Sequence, residues 1–149
     1  MPANLSEITK YTQLYVPASR TTTGTLYEEQ VTGTNATGNG LDTRDFDECV
    51  IDVSVGAVTA GTTLDISIVT SNDDNADNSF AVTGAAFTQI ANADEDTARR
   101  GYYRCAGQAR YAWAKVEKDG TADAALYSIG AILSKSSSNP TDTTYDFEV

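Results

Sequence analysis

The chain has 149 residues, 40% of them hydrophobic, which suits one folded domain with its own core and excludes a disordered chain. Its formal net charge is −11, and it contains no histidine. A surface this negative repels nucleic-acid phosphates and anionic lipids, so neither nucleic acid nor a membrane is expected as a partner.

Residues 1–23 are predicted to form an N-terminal arm. The spacing of Thr12, Leu14 and Val16 fits an extended strand, whereas that of Leu5, Ile8 and Tyr15 fits a short helix. Pro17 ends either element. Because neither pattern is sustained, we expect this segment to lie outside the domain. Its apolar residues Leu14 and Tyr15 are candidate contacts with a partner protein.

Residues 24–134 are predicted to form a β-sandwich, because apolar side chains repeat at every second position. The predicted strands are 26–31, 49–55, 64–69, 80–82, 86–90, 102–106, 110–118 and 124–133. Asp119-Gly120 is a strong hairpin signal between the last two, and Gly130 suggests a bulge or a close backbone approach. One-sided apolar strands must bury their faces against a second sheet. The predicted fold class is therefore all-β, a two-sheet antiparallel sandwich with extended N- and C-terminal arms.

Residues 135–149 are predicted to form a flexible linker followed by a C-terminal strand. The linker is rich in serine, and beyond it Tyr145 and Phe147 alternate with acidic residues. Such a strand can add to the sheet edge of a neighbouring subunit through main-chain hydrogen bonds, or return to its own sheet and cover an edge there. The pattern leaves both outcomes open, and Tyr145 and Phe147 are candidate partner contacts.

No catalytic residue, cofactor or metal is predicted. Without histidine, the usual base for a serine or cysteine nucleophile is missing. Asp73, Asn75 and Asp77 have the alternate spacing of a calcium loop, but Asn78 and Gly84 replace the glycine and the bidentate glutamate of an EF-hand. Polar residues of this kind also favour tight turns, which is the preferred interpretation.

Cys49 and Cys105 are predicted to be buried free thiols rather than a disulfide. The first residues of the chain lack the basic and apolar regions of a signal peptide, which predicts synthesis in a reducing cytoplasm. Thiols in that compartment stay reduced and are usually buried.

Trp113 is a further candidate contact with a partner protein. On its strand, Ala112, Ala114 and Val116 share one face and Trp113 lies on the other. If the small residues face the core, the indole is exposed and suits a protein partner or sugar stacking. The alternative places Trp113 in the core and the alanines outside.

Several of these strands resemble small virion proteins of tailed bacteriophages, including jelly-roll head decoration (cement) proteins. The resemblance lies in the runs 49–55, 61–68 and 110–116 and in Phe87 before a polar turn. It implies a jelly-roll sandwich on the exterior of a capsid, made in the host bacterial cytoplasm. The implied partners are the major capsid protein and copies of the chain itself, as a dimer or trimer. A carbohydrate-binding module and a tail protein are the alternatives.

Overall fold

Two β-sheets face each other across an apolar core in the computed structural model, which describes residues 9–20, 23–27, 40–120, 124–135 and 145–149. The predicted all-β sandwich is confirmed. The strands within these ranges are β1 (Thr9–Arg20), β2 (Gly24–Leu26), β3 (Leu41–Asp42), β4 (Glu48–Val58), β5 (Thr63–Ser71), β6 (Phe80–Ala86), β7 (Ile90–Ala91), β8 (Ala98–Arg104), β9 (Tyr111–Asp119), β10 (Ala125–Ser134) and β11 (Phe147–Glu148). Short 3₁₀ helices lie at Ala76–Asn78 and Asn92–Asp94. No helix in the described ranges has the length and hydropathy needed to cross a membrane.

The first sheet has the strand order β1-β10-β4-β8-β11, and the second has the order β2-β9-β5-β6, with β3 beside β9 and β7 beside β5. When the two-residue strands β3, β7 and β11 are set aside, eight longer strands remain. They pair first with last, second with seventh, third with sixth and fourth with fifth. An antiparallel ribbon wound in this way is a jelly roll.

The alternation of apolar residues in the sequence predicts the core-facing sides of β4 and β5 correctly. Residues at every second position of each strand are buried in one cluster that draws side chains from both sheets. The buried residues that the pattern identified are Cys49, Ile51, Val53, Val55, Leu64, Ile66 and Ile68. Burial of one face per strand is therefore the interaction that holds the two sheets together.

The hairpin predicted at Asp119-Gly120 is absent from the structure. Strands β9 and β10 lie in different sheets and do not pair, so this turn carries the chain from one sheet to the other. Gly120 has a positive φ of 109°, and its N–H donates to the Asp119 carboxylate at 2.7 Å. The chain bends at Gly120, but local backbone chemistry does not decide which sheet the next strand joins.

The structure also corrects the prediction for the N-terminal segment. Residues 9–20 form β1, an edge strand that pairs antiparallel with β10 from Thr9 to Arg20, rather than an arm outside the domain. The register of this pairing breaks between Gln13 and Tyr15 and again between Tyr15 and Ala18. These irregularities shift the alternation of side chains, which hides the strand from a search for a strict period of two. Residues 1–8 and 21–22 lie outside the described residues.

The C-terminal segment returns to its own sheet, which is one of the two outcomes that the sequence left open. Strand β11 pairs in parallel with β8, with Phe147 opposite Gly101 and Glu148 opposite Tyr102. The predicted linker positions 136–144 lie outside the described residues. The first sheet is therefore bordered by β1 on one side and by β11 on the other.

Candidate protein-binding face

The outer face of the five-stranded sheet carries a line of apolar side chains that crosses four neighbouring strands. Tyr11 on β1 is opposite Ile132 on β10, Ile132 is opposite Val50 on β4, and Val50 is opposite Tyr102 on β8. Residues directly opposite on paired strands point to the same side of a sheet, so these side chains are neighbours. We call Tyr11, Ile132, Val50 and Tyr102 the apolar row.

Exposure of the apolar row increases toward the β1 edge of the sheet. Tyr102 is buried, Val50 is half-buried, and Ile132 and Tyr11 are 38% and 62% exposed. Of the five large hydrophobic residues that are exposed in the described part of the chain, four lie on β1 and β10, and the fifth is Phe80 in the other sheet. The four are Tyr11, Val16, Leu126 and Ile132. Exposed apolar surface is therefore concentrated on two adjacent strands.

The phenol of Tyr11 has a defined position on this surface. Its hydroxyl donates to the Gln13 side-chain carbonyl at 2.7 Å, and the Gln13 amide donates to the backbone carbonyls of Tyr15 and Ile129. The ring lies over Gly130, where a Cβ would come within 2.8 Å of the phenol oxygen. The irregularity that the sequence indicated at Gly130 is thus a bulge of the partner strand β1 together with the close approach of a tyrosine.

Polar groups border the apolar row on both sides. On one side Arg100 donates to the Asp52 carboxylate at 2.6 Å, which raises the pKa of Arg100 above its ordinary value. On the other side, burial and a hydrogen bond to the Glu48 carboxylate raise the pKa of Tyr102 to about 12, with burial as the larger cause. An apolar centre with polar neighbours is the usual composition of a protein interface.

The structure buries both partner contacts predicted in the N-terminal segment. Leu14 and Tyr15 are 4% and 0% exposed and belong to the main core. The Tyr15 hydroxyl shares its one proton between the backbone carbonyls of Ala114 and Tyr27, which ties β1 to the second sheet. These two side chains therefore stabilise the sandwich and are not available at its surface. The exposed large hydrophobic residues of this strand are Tyr11 and Val16.

Trp113 points away from the main core, as the first of the two interpretations expected, but it is not exposed. Ala112, Ala114 and Val116 pack in the core, whereas Trp113 lies in a second cluster with Val69 and Ala76. The loop after β5 covers the indole, which is 1% exposed. Trp113 therefore provides no platform for a protein or a sugar, and the carbohydrate-binding alternative loses the residue on which it depended.

The two C-terminal candidates have different environments. The Tyr145 ring packs on Tyr102 with ring centroids 5.7 Å apart, so Tyr145, which precedes β11, extends the apolar row beyond β8. Phe147 is 7% exposed and belongs to the main core, where it meets Phe87 edge to face at 4.9 Å. In this arrangement Tyr145 is half-buried at the surface and Phe147 is an internal contact.

The loop with calcium-like spacing uses its polar groups within the turn. The Asp73 carboxylate accepts from the Ser71 hydroxyl and the Asn78 amide, and these bonds lower the pKa of Asp73. The Asn75 side chain accepts from the N–H of Asp77 at 3.0 Å and begins a 3₁₀ helix. Within the described ranges, no three His, Cys, Asp or Glu residues group as metal ligands. The structure thus gives these residues a role in shaping the loop.

Cys49 and Cys105 are buried and carry free thiols. A hydrogen bond with the neighbouring Cys105 thiol, together with burial, raises the pKa of Cys49 well above its ordinary value. A thiol that holds its proton in this way is a poor nucleophile. Both side chains pack in the main core.

The sequence does not reveal the apolar row, because each of the four strands contributes only one of its side chains. One signal was present, since Leu126 and Ile132 fall on the otherwise polar side of the alternation in β10. The alignment of Ile132 with Tyr11 and Val50 depends on strand order and register. A single sequence does not contain that information.

The chain matches no protein-family model, and comparisons with curated proteins and with solved structures give no match. The resemblance to head decoration proteins stays an expectation from the sequence.

Proposed function

We propose that this chain is a non-enzymatic structural protein that binds other protein subunits through the apolar row and decorates the exterior of a bacteriophage capsid. The observation that carries the proposal is the concentration of exposed large hydrophobic residues on β1 and β10. Exposed apolar surface that is concentrated rather than scattered is typical of an interaction site.

A protein partner suits this face better than a phosphate-bearing one. The net charge of −11 opposes polyanions. Of the two arginines that flank Tyr102 on β8, Arg100 is paired with Asp52 and Arg104 lies opposite Glu48. Tyrosine and isoleucine side chains gain free energy by leaving water when a second apolar surface covers them. The Tyr11 hydroxyl already donates to the Gln13 side chain, so a dry contact over the ring leaves that donor satisfied.

The capsid as partner is supported by the resemblance of the strands to head decoration proteins, together with the jelly-roll winding of the sandwich. Jelly rolls serve many unrelated functions, so the fold alone does not identify a partner. On this proposal the major capsid protein and further copies of the chain are the subunits that meet the apolar row.

Sedimentation of the purified protein with undecorated capsids tests the proposal. We expect the wild-type chain to co-sediment and the Tyr11→Ser variant to bind about 10- to 100-fold more weakly, because loss of an aromatic side chain that an interface buries costs about 1.5–3 kcal/mol. Phe80→Ser is the matched control, since Phe80 is 52% exposed on the edge strand of the other sheet. We expect this control to bind like the wild type.

Two results would contradict the proposal in different ways. Absence of binding by the wild-type chain at micromolar concentration would remove the capsid as the partner. Binding that is weakened equally by Tyr11→Ser and Phe80→Ser would show that the apolar row is not the contact.

A further inference from the structure

Residues 145–149 bind to the edge of β8 as a short peptide would bind to a sheet. The N–H of Asp146 donates to the Arg100 carbonyl at 2.7 Å, and the N–H of Val149 donates to the Tyr102 carbonyl at 3.2 Å. The N–H of Arg104 donates back to the Val149 carbonyl at 2.7 Å. Main-chain bonds of this kind supply affinity in strand addition, whichever chain the strand comes from.

A socket for one aromatic side chain gives this edge its selectivity. Phe147 enters the core opposite Gly101, where a Cβ would lie only 2.3 Å from the phenyl ring. Phe87 forms another wall, with its ring edge to face with that of Phe147. The absence of a side chain at Gly101 is therefore what makes room for the phenyl ring.

Side chains before and after Phe147 in the segment also make specific contacts with the site. The Asp146 carboxylate accepts from Arg99 at 3.2 Å, and the same guanidinium contacts Asp94 at 2.5 Å. The Val149 side chain lies beside Gly84 on β6, within 3.0 Å of the position that a Cβ would take there. The site therefore lies between the edges of the two sheets and recognises an extended acidic and aromatic peptide.

The connection from β10 to the C-terminal segment is longer than the path that it spans within one copy. Strand β11 lies three strand spacings, or about 14 Å, from β10. Ser134 pairs with Glu48, and Glu48 pairs with Arg104, so these three residues lie at the same level along the sheet. Because Phe147 lies opposite Gly101, Tyr145 lies about five residues, or roughly 17 Å, from that level. The straight path is thus about 22 Å, whereas the ten residue steps from Lys135 can span up to about 33–36 Å.

We propose that the edge of β8, together with the socket at Gly101, is a strand-acceptor site, and that the C-terminal segment of a second copy of this chain also occupies it by exchange. Every contact described above is made by residues 145–149 themselves, so a second copy makes the same contacts. Exchange of an identical element between copies is a low-cost route to an oligomer.

Concentration decides between the two arrangements. Within one copy, the connection holds the segment near its own site at an effective concentration on the order of millimolar. We therefore expect exchange to become prominent when many copies lie side by side, or when the socket of a copy's own chain is blocked. The inference goes beyond the proposed capsid binding and does not depend on it.

Two full-length variants test the exchange. Gly101→Val blocks the socket and leaves an intact segment without its site, whereas Phe147→Ala leaves an empty socket without its aromatic ligand. We expect each variant alone to remain monomeric in analytical ultracentrifugation and the mixture to form an equimolar complex. Emission from the buried Trp113 and the circular dichroism spectrum report whether each variant is folded. If Gly101→Val does not fold, the milder Gly101→Ala takes its place, and if Phe147→Ala does not fold, Phe147→Leu takes its place.

A labelled peptide with the sequence of residues 145–149 provides the second measurement. We expect its fluorescence anisotropy to show saturable binding to the Phe147→Ala chain. The same peptide with alanine in place of the phenylalanine should bind about 10- to 100-fold more weakly, as burial of a phenyl ring predicts.

Failure of the wild-type peptide to bind a folded Phe147→Ala chain would overturn the acceptor site. Peptide binding without a complex in the mixture of folded variants would overturn exchange between copies. Both measurements use the isolated protein, so a negative result leaves capsid binding untouched.

Discussion

Replacing Tyr15 with alanine tests whether the N-terminal strand is part of the folded core. Tyr15 is fully buried, its ring lies 5.8 Å from that of Tyr127, and its hydroxyl donates to the Ala114 carbonyl at 3.1 Å. Removal of a buried aromatic side chain leaves a cavity, so we expect Tyr15→Ala to lower the free energy of unfolding by about 3–5 kcal/mol. Tyr15→Phe removes only the hydroxyl and should cost about 1–2 kcal/mol.

Urea unfolding measures this effect. With a urea dependence of about 2 kcal/mol per molar, Tyr15→Ala should lower the midpoint by roughly 2 M without changing the slope. Tyr11→Ala is the matched control, because Tyr11 is a largely exposed tyrosine on the same strand and its loss should change stability by less than about 0.5 kcal/mol. Equal midpoints for the two alanine variants would show that residues 9–20 are an arm and not an edge strand.

Two further predictions concern a turn and a titrating group. Gly120→Ala should lower the free energy of unfolding by about 2 kcal/mol or more, because its Cβ would lie 2.6 Å from the Gly61 carbonyl oxygen at a positive φ. The control Gly107→Ala, also at a positive φ but with open space around it, should cost about 1 kcal/mol, and thermal unfolding that ranks the two in the opposite order would contradict this account. The raised pKa of Tyr102 means that the folded state holds the phenol proton more tightly than the unfolded chain does. Its contribution to stability is therefore present below about pH 10 and is lost as the pH rises through about 12. Urea unfolding across this range should show a smaller loss of stability for Tyr102→Phe, and identical pH profiles for the variant and the wild type would refute the assignment.

Prediction of the candidate site from sequence succeeded for residue types and failed for their environments. The pattern around Trp113 placed it correctly on the face opposite Ala112 and Ala114, yet it gave no sign that the loop containing Ala76 folds over the indole. Likewise, the alternation of Tyr145 and Phe147 indicated a strand but did not show whether its edge partner was β8 of the same chain. Covering loops and edge partners are contacts between distant residues, whereas a pattern of apolar positions records only local geometry.

The sequence by itself determined that the chain is an all-β sandwich, because a period of two along β4 and β5 leaves each strand one apolar face that only a second sheet can bury. Tertiary structure alone decided the strand order, the crossing of the chain between sheets after Gly120 and the register that aligns Tyr11 with Ile132. The physical reason is that backbone hydrogen bonds between strands are nearly the same for any partner. The choice among partners therefore depends on how all the faces pack together, and no single segment specifies it.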